Sequence, residues 1–403
     1  MSEWLSYTIG EIAAHAKSAL ATGPFGSAVS SKNFRSSGVP MLRGSNLTEE
    51  VGTRLNETDL VYLDPVLAET FSRSTARRGD LIFTCWGSVG QIGLVDASSQ
   101  YESYIVSNKQ MKLTPNSEIV DSTFLYYYLS QPSMVFEVQS RAIGSTIPGF
   151  NLGQLRSLQV SLPAIDEQRA IAEVLGALDD KIAANTKLAE TADEYVRSAL
   201  AAVSYDAEQS ISLRDLITQR KTLVDPTQIE TSIYAGLEHL PRRSMWLRET
   251  GTSDEVTSTK ARFEKGDVLF GKLRPYFHKV VAAPQAGICS TDILVAVAKD
   301  QELSGFVLAQ LASDYVVQET TAASEGTRMP RTSWKDLAAI EVPWPGLESA
   351  RRFSQQVSEM ESAVNAKLDE NRTLAATRDA LLPQLMSGKL RVKDIENTMG
   401  EMV

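Results

Sequence analysis

Gly144-Ser145-Thr146-Ile147-Pro148 returns 182 residues later as Gly326-Thr327-Arg328-Met329-Pro330, and no other feature narrows the possible folds of this chain so far. Gly79-Asp80-Leu81-Ile82-Phe83 returns as Gly266-Asp267-Val268-Leu269-Phe270 at an offset of 187. Lys181, Asn185 and Leu188 return as Lys367, Asn371 and Leu374 at an offset of 186. Solenoid units run about 20–50 residues, so this period is too long for one. The chain is a duplicated domain, each copy followed by a duplicated helix. Two like modules on a rigid spacer suit a partner with two separated sites along a line, and duplex DNA is such a partner.

The repeat divides the chain. Residues 1–160 form a first domain, 161–205 a first long helix, 206–345 a second domain, 346–390 a second long helix, and 391–403 a weakly ordered tail. Asp80–Thr84 and Ile105–Thr114 read as strands, as do Val268–Phe270 and Ile293–Ala298 in the second copy. Ser122–Gln139 has helical apolar spacing that Pro132 must break or bend. Leu303–Glu319 reads as the matching helix. The fold class is α+β, with two similar domains joined by two long helices.

Those helices carry the strongest local pattern. Ile171, Leu175, Leu178, Ile182 and Asn185 alternate by four and three. Val357, Val364, Leu368 and Asn371 fit the same frame, which Glu361 and Arg378 interrupt. This is a heptad seam. Asparagines at matching seam positions fix register at a cost in stability. The alternative, two amphipathic helices each packed on its own domain, does not require seams this long and regular. The expected arrangement is an antiparallel coiled coil within one chain, giving a pseudo-twofold molecule. Each helix spans ~55 Å at 1.5 Å per residue, more than the about 34–36 Å of one turn of B-DNA. Pro163 ahead of Asp166 and Glu167 marks the start of the first helix, and Leu382-Pro383 is expected to close the second.

Charge counts against a simple DNA-binding protein. The net charge is −10, whereas phosphate contact needs Lys and Arg. Local basic clusters remain: Arg73, Arg77 and Arg78; Arg242, Arg243 and Arg248; and Lys260, Arg262, Lys265, Lys272 and Arg274. The bland reading makes each an ordinary solvated face, but an acidic protein can bind DNA if a partner brings positive charge. The two cysteines are far apart and the three histidines scattered, so no metal site and a reducing, cytoplasmic setting are expected. No apolar run is long enough to cross a membrane, and Met1-Ser2-Glu3-Trp4 does not open a signal peptide. There is no Walker A loop, methyltransferase motif, nuclease pattern or nucleophile elbow. His278, beside Arg274 and Tyr276, reads as a surface or structural residue.

Several stretches carry a family likeness. Gly23-Pro24-Phe25-Gly26-Ser27 and Gly38 to Leu47 resemble the opening of a target-recognition domain in type I restriction-modification specificity subunits. Gly271-Lys272-Leu273-Arg274-Pro275-Tyr276 and Gly287 to Asp292 look like the matching part of a second such domain. Leu162-Pro163 through Gln168, and Leu381 to Leu390, are similar to that family's helix start and C-terminal ending. The resemblance covers essentially the whole chain. It implies a non-catalytic DNA-recognition subunit, each domain reading one half of a bipartite double-stranded target. It also implies that the coiled coil sets the unread spacer and holds two methyltransferase subunits, with motor-nuclease subunits joining in a restricting complex. S-adenosylmethionine and ATP with Mg are then expected in those partners and not on this chain. Two departures stand out. Leu347-Glu348-Ser349-Ala350 replaces the more typical Asp166-Glu167-Gln168-Arg169, and the second domain lacks a Gly-Pro-Phe-Gly-Ser stretch, so the halves should read different bases.

Candidate DNA contacts are Lys32, Arg35, Arg43, Arg73, Arg77 and Arg78 in the first domain. In the second they are Arg242, Arg243, Lys272, Arg274, Tyr276 and Arg331. Ser145 and Thr146, with Thr327 and Arg328, are candidates for phosphate contact from the repeated loops. A protein-binding scaffold without sequence-specific DNA contact is the alternative from another class. A fragment of a fused restriction-methylation enzyme is a third reading, against which the absent methyltransferase motifs count.

Overall fold

The computed structural model describes residues 4–24, 28–144, 148–205, 207–324 and 329–393. The chain divides into two units, residues 1–182 with 373–403, and residues 183–372.

The first unit holds strands β1 (Leu5–Thr8), β2 (Leu20–Thr22), β3 (Val39–Leu42), β4 (Val61–Leu63) and β5 (Thr75–Arg77). It continues with β6 (Leu81–Thr84), β7 (Ile92–Leu94), β8 (Ser103–Val106), β9 (Gln110–Leu113) and β10 (Gln159–Leu162). One sheet has the order β2-β9-β6-β7, another β4-β3-β8-β5, and β1 pairs with β10. Only β3 and β8 run parallel among these described strands. Successive side chains of a strand point to opposite faces, and β6 uses both. Leu81 and Phe83 enter the main core, while Ile82 enters a smaller core with Leu42, Tyr104 and Val106. A strand buried on both faces reads as a continuous apolar run, which is why Leu-Ile-Phe was visible in the sequence.

The second unit repeats this plan with β11 (Gln209–Ser212), β12 (Ile217–Gln219), β13 (Leu223–Val224), β14 (Ile233–Ala235), β15 (Gly251–Thr252) and β16 (Lys260–Phe263). Then come β17 (Val268–Gly271), β18 (Val280–Ala282), β19 (Gly287–Cys289), β20 (Ile293–Ala298) and β21 (Glu341–Trp344). The orders are β12-β20-β17-β18, β13-β16-β19-β14-β15 and β11-β21. The parallel pair recurs as β14 with β19. In β17, Val268 and Phe270 face one core and Leu269 another. The turn before each central strand is also repeated. Gly79 and Gly266 have φ of 90° and 82°, a region that favours glycine. The buried aspartate that follows takes a cation each time, Lys112 at 2.9 Å on Asp80 and Arg220 at 2.7 Å on Asp267.

The long helices run Ile165–Ser204 and Leu347–Met386, and each contributes one half to each unit. Within the first unit, Arg378 donates to Asp179 at 2.7 Å, while Ile171 and Leu175 share a core with Leu382, Leu385 and Met386. Within the second, Asn185 donates to Asn371 at 2.8 Å, while Val196 and Leu200 share a core with Phe353 and Val357. The helices therefore pair antiparallel. Val364 and Leu368 are buried on the seam.

The sequence reading needs four corrections. Leu178 and Ile182 are only half-buried, and Asp179 is buried beside them, because its carboxylate is paired by Arg378 and takes the Tyr127 hydroxyl. Ile105–Thr114 is two strands in different sheets, β8 and β9, separated by a turn at Ser107–Lys109. Leu303–Glu319 is two helices, Ser304–Leu311 and Asp314–Ala322, because the Ser313 side chain caps the second by accepting from Val316 N. Pro383 does not close the second long helix, which continues to Met386. A proline in the last turn forfeits one backbone donor, and the stop comes at Gly388, with φ of 66°. Pro132 behaves as expected, sitting at the first turn of Pro132–Arg141 after Ser122–Ser130 has ended.

Candidate nucleic-acid interface

The central strand of each unit, β6 in the first and β17 in the second, ends in a loop with the same backbone wiring. In the first unit, Cys85 N donates to Lys109 O at 2.7 Å and Phe150 N donates to Cys85 O at 2.8 Å. In the second, Lys272 N donates to Asp292 O and Thr332 N to Lys272 O, both at 3.0 Å. Trp86 bridges to Gly149 where Leu273 bridges to Arg331. The next residue is left-handed in both, Gly87 at φ 90° and Arg274 at φ 52°. Backbone geometry is kept, and the side chains it displays are exchanged.

In the second unit this loop gathers most of the sequence candidates. Tyr276 is half-exposed and packs edge-on against Phe277, with ring centroids 4.8 Å apart. Arg242 lies over the same Phe277 ring at 4.2 Å, and Arg274 at 5.9 Å. The Arg274 Nε is buried without a hydrogen-bond partner among the described residues. Lys272 and Arg331 both approach Asp292, at 3.9 and 3.2 Å. Arg243 pairs with Asp314 at 3.0 Å. Asp314 also lies 3.5 Å from the buried His278, whose Nε2 is 2.9 Å from Ala312 O. Burial, chiefly, holds the His278 pKa below its ordinary value, so the neutral ring donates to that carbonyl. His278 is a structural residue of the core and not a surface one.

In the first unit the candidates fall into two groups. Arg35 donates to Lys32 O and Phe34 O, each at 3.0 Å, Arg43 lies 5.9 Å above the Phe34 ring, and Lys32 itself is exposed. Arg73, Arg77 and Arg78 lie at the opposite edge of the β4-β3-β8-β5 sheet, on or beside β5. Arg78 pairs there with Glu102 at 3.0 Å, and all three arginines are exposed. Ser145, Thr146, Thr327 and Arg328 lie outside the described residues. Lys260, counted among the basic clusters, is turned inward over the Tyr234 ring and donates to Ser258 O.

Sequence reasoning missed a concavity of about 460 Å³ beside Arg43, lined also by Trp86, Ser88, Asn108 and Lys109. Three polar atoms at or behind its wall, Arg43 Nε, Thr84 Oγ1 and Gln110 Nε2, have no hydrogen-bond partner among the described residues. An unsatisfied buried group costs about 1–3 kcal/mol. The signal was available, since Trp86 stands 187 positions before Leu273, inside the loop already singled out in the second copy.

No group of three or more His, Cys, Asp or Glu among the described residues is placed to hold a metal ion, and no described helix is long and apolar enough to cross a membrane. Burial pushes both thiols, Cys85 and Cys289, up to about 12, which keeps them protonated and unreactive at neutral pH.

Comparison with known proteins gives a consistent picture. Residues 1–193 match the family model described as type I restriction modification DNA specificity domain. The chain is 22% identical over 284 residues to the type I restriction enzyme EcoDI specificity subunit of Escherichia coli, covering 60% of this chain and 63% of that one. It is 20% identical over 323 residues to the type I restriction enzyme MjaVIII specificity subunit of Methanocaldococcus jannaschii, covering 72% and 75%. In fold it is similar to the crystal structure of a type I restriction-modification system S subunit from M. genitalium, with a TM-score of 0.59 at 16% identity over 95% of this chain and 96% of that one.

Proposed function

We infer that this chain, which belongs to the type I restriction-modification DNA specificity family, reads a bipartite duplex target, one half with each recognition domain. One observation carries this reading: the two domains keep the same loop backbone and exchange the side chains it presents. Trp86, Gly87, Lys109 and Gly149 in one copy stand where Leu273, Arg274, Asp292 and Arg331 stand in the other. Common wiring with different readers is what two unlike half-sites require, because base edges are distinguished by side-chain donors and acceptors. The antiparallel helices fix the unread spacer and carry two methyltransferase subunits. Motor-nuclease subunits join them in a restricting complex. S-adenosylmethionine, ATP and Mg bind on those partners, in the cytoplasm. The net charge of −10 fits this division, since partner subunits enclose the DNA and neutralise phosphate.

The test is to express the chain with the methyltransferase subunit of its own system in a host free of DNA methylation, then sequence the modified bases. The expected product is one motif in two parts with a fixed unread gap. A motif without a gap, or no methylation from a correctly assembled complex, overturns the reading.

A further inference from the structure

The concavity beside Arg43 is a built site. Its aromatic wall is fixed: Trp86 is half-exposed, yet its backbone bridges to Gly149 and its ring lies against that glycine. A Cβ at Gly149 would stand 2.5, 2.7 and 2.8 Å from Trp86 Cζ3, Cη2 and Cε3, so the ring rests where only glycine leaves room. Two of the unpartnered atoms belong to side chains that are almost fully buried, Thr84 at 2% and Gln110 at 0% exposure. Gln110 Nε2 lies behind Gly44, 3.7 Å from where a side chain there would begin. Its Oε1 already accepts the Ser107 hydroxyl, which leaves the amide N–H groups to donate. Arg43 holds one end of its guanidinium on Asp59 O at 2.9 Å and leaves Nε unpaired. Lys109 adds an exposed ammonium group.

The set is rich in donors, so its ligand carries acceptors. Beside them stands a flat apolar ring, which a phosphate does not need and a base does. Guanine presents two acceptors, N7 and O6, in the major groove. We propose that the first recognition domain reads a guanine of its half-site in this concavity, with Arg43 donating to the base edge and Trp86 packing against the same or the neighbouring base. Thr84 and Gln110 act as positioning residues that hold the donor wall. This rests on the functional reading above and names the base chemistry of one domain.

The experiment uses the assembled methyltransferase complex and duplexes carrying its own methylation motif. Each guanine of the motif is replaced in turn by 7-deazaguanine, which lacks the N7 acceptor. For the wild type, one replacement in one half of the motif should weaken binding about 5- to 150-fold, the range for one lost base contact. Arg43→Ala should show a similar loss on the unmodified duplex and no further loss with 7-deazaguanine at that position. Arg43→Met keeps the side-chain length, removes every donor, and should lose the same sensitivity. Trp86→Ala should relax the same half and leave the other half unchanged. The proposal is overturned if no guanine of either half responds in the wild type, or if the losses from 7-deazaguanine and Arg43→Ala multiply independently. It is also overturned if Arg43→Ala weakens random duplex as much as the target, which would mark a phosphate contact. A wild-type complex that yields no two-part motif overturns the functional reading, and this proposal with it.

Discussion

Asn185 Nδ2 donates to Asn371 Oδ1 across the helix pair at 2.8 Å, and the two residues stand at matching positions of the repeat. Asn185 is almost fully buried and also donates to Glu370 at 3.0 Å. A buried amide that loses its partner costs about 1–3 kcal/mol. Asn371→Leu alone, which takes this acceptor away from the buried Asn185 amide, should therefore lower the urea midpoint of the second unit. Asn185→Leu with Asn371→Leu should recover it or exceed it, because an apolar seam is the more stable one. A double variant no more stable than the single would show that the asparagines do not act as a pair.

The Asp179–Arg378 ion pair predicts a different pattern in the first unit. Both side chains are nearly inaccessible, at 2% and 6%. Removing one leaves an uncompensated buried charge, at about 3–5 kcal/mol. Arg378→Met alone should destabilise by that amount in chemical denaturation. Adding Asp179→Asn should restore most of it, since the neutral amide oxygen can still accept the Tyr127 hydroxyl. Equal losses from the single and double variants would refute the pairing argument.

His278 makes the second unit sensitive to mild acid. Its pKa lies below 6.5 in the folded state, through burial first and then the nearby Arg197 and Arg243, opposed by the Ala312 carbonyl and Asp314. The unfolded chain then binds the proton more readily, so stability rises with pH across this window. It is fully present above about pH 6.5, the unfolded value, and is lost as pH falls toward the lower folded value. Urea midpoints should fall between pH 7.5 and 6, and His278→Gln, which can still donate to Ala312 O, should flatten that fall. An unchanged slope in the variant would exclude His278 as its cause.

Arg274 should act on one half-site only. Its left-handed backbone matches Gly87 of the first domain, so Arg274→Gly keeps the loop while deleting the guanidinium. About 1–3 kcal/mol of discrimination should disappear at one position of one half of the motif, read as relaxed methylation there. Equal weakening on unrelated duplex would assign Arg274 to phosphate.

The repeat and the apolar runs carried most of the fold. Leu81–Thr84 and Ile293–Ala298 were legible because strands buried on both faces leave unbroken apolar stretches. The turn at Ser107-Asn108-Lys109 was not, since it contains neither glycine nor proline. Ser313-Asp314 did carry a helix-start signal, which the continuing apolar spacing masked. Leu178 was preferred over Asp179 because pattern reading ranks apolar residues above a charge whose partner lies 199 positions away. The second domain's loop was found through its own basic residues. Its counterpart was missed because the loop itself, Trp86-Gly87-Ser88, carries no charge, while Arg43 and Lys109 reach the site from other segments.

The two units are not equivalent in chain order. The second is one unbroken stretch, residues 183–372, whereas the first needs both 1–182 and 373–403. Its main core includes Leu382, Leu385, Met386 and Val392 packed with Ile171 and Leu175. During synthesis, which proceeds at about 5–20 residues per second, the domain translated first cannot complete its core until the last part of the helix pair has left the ribosome. The domain translated second can finish before it. The N-terminal domain thus waits with the apolar face of its helix uncovered, and that interval is when a nascent chain of this design is most open to chaperones, premature pairing with another copy, or aggregation.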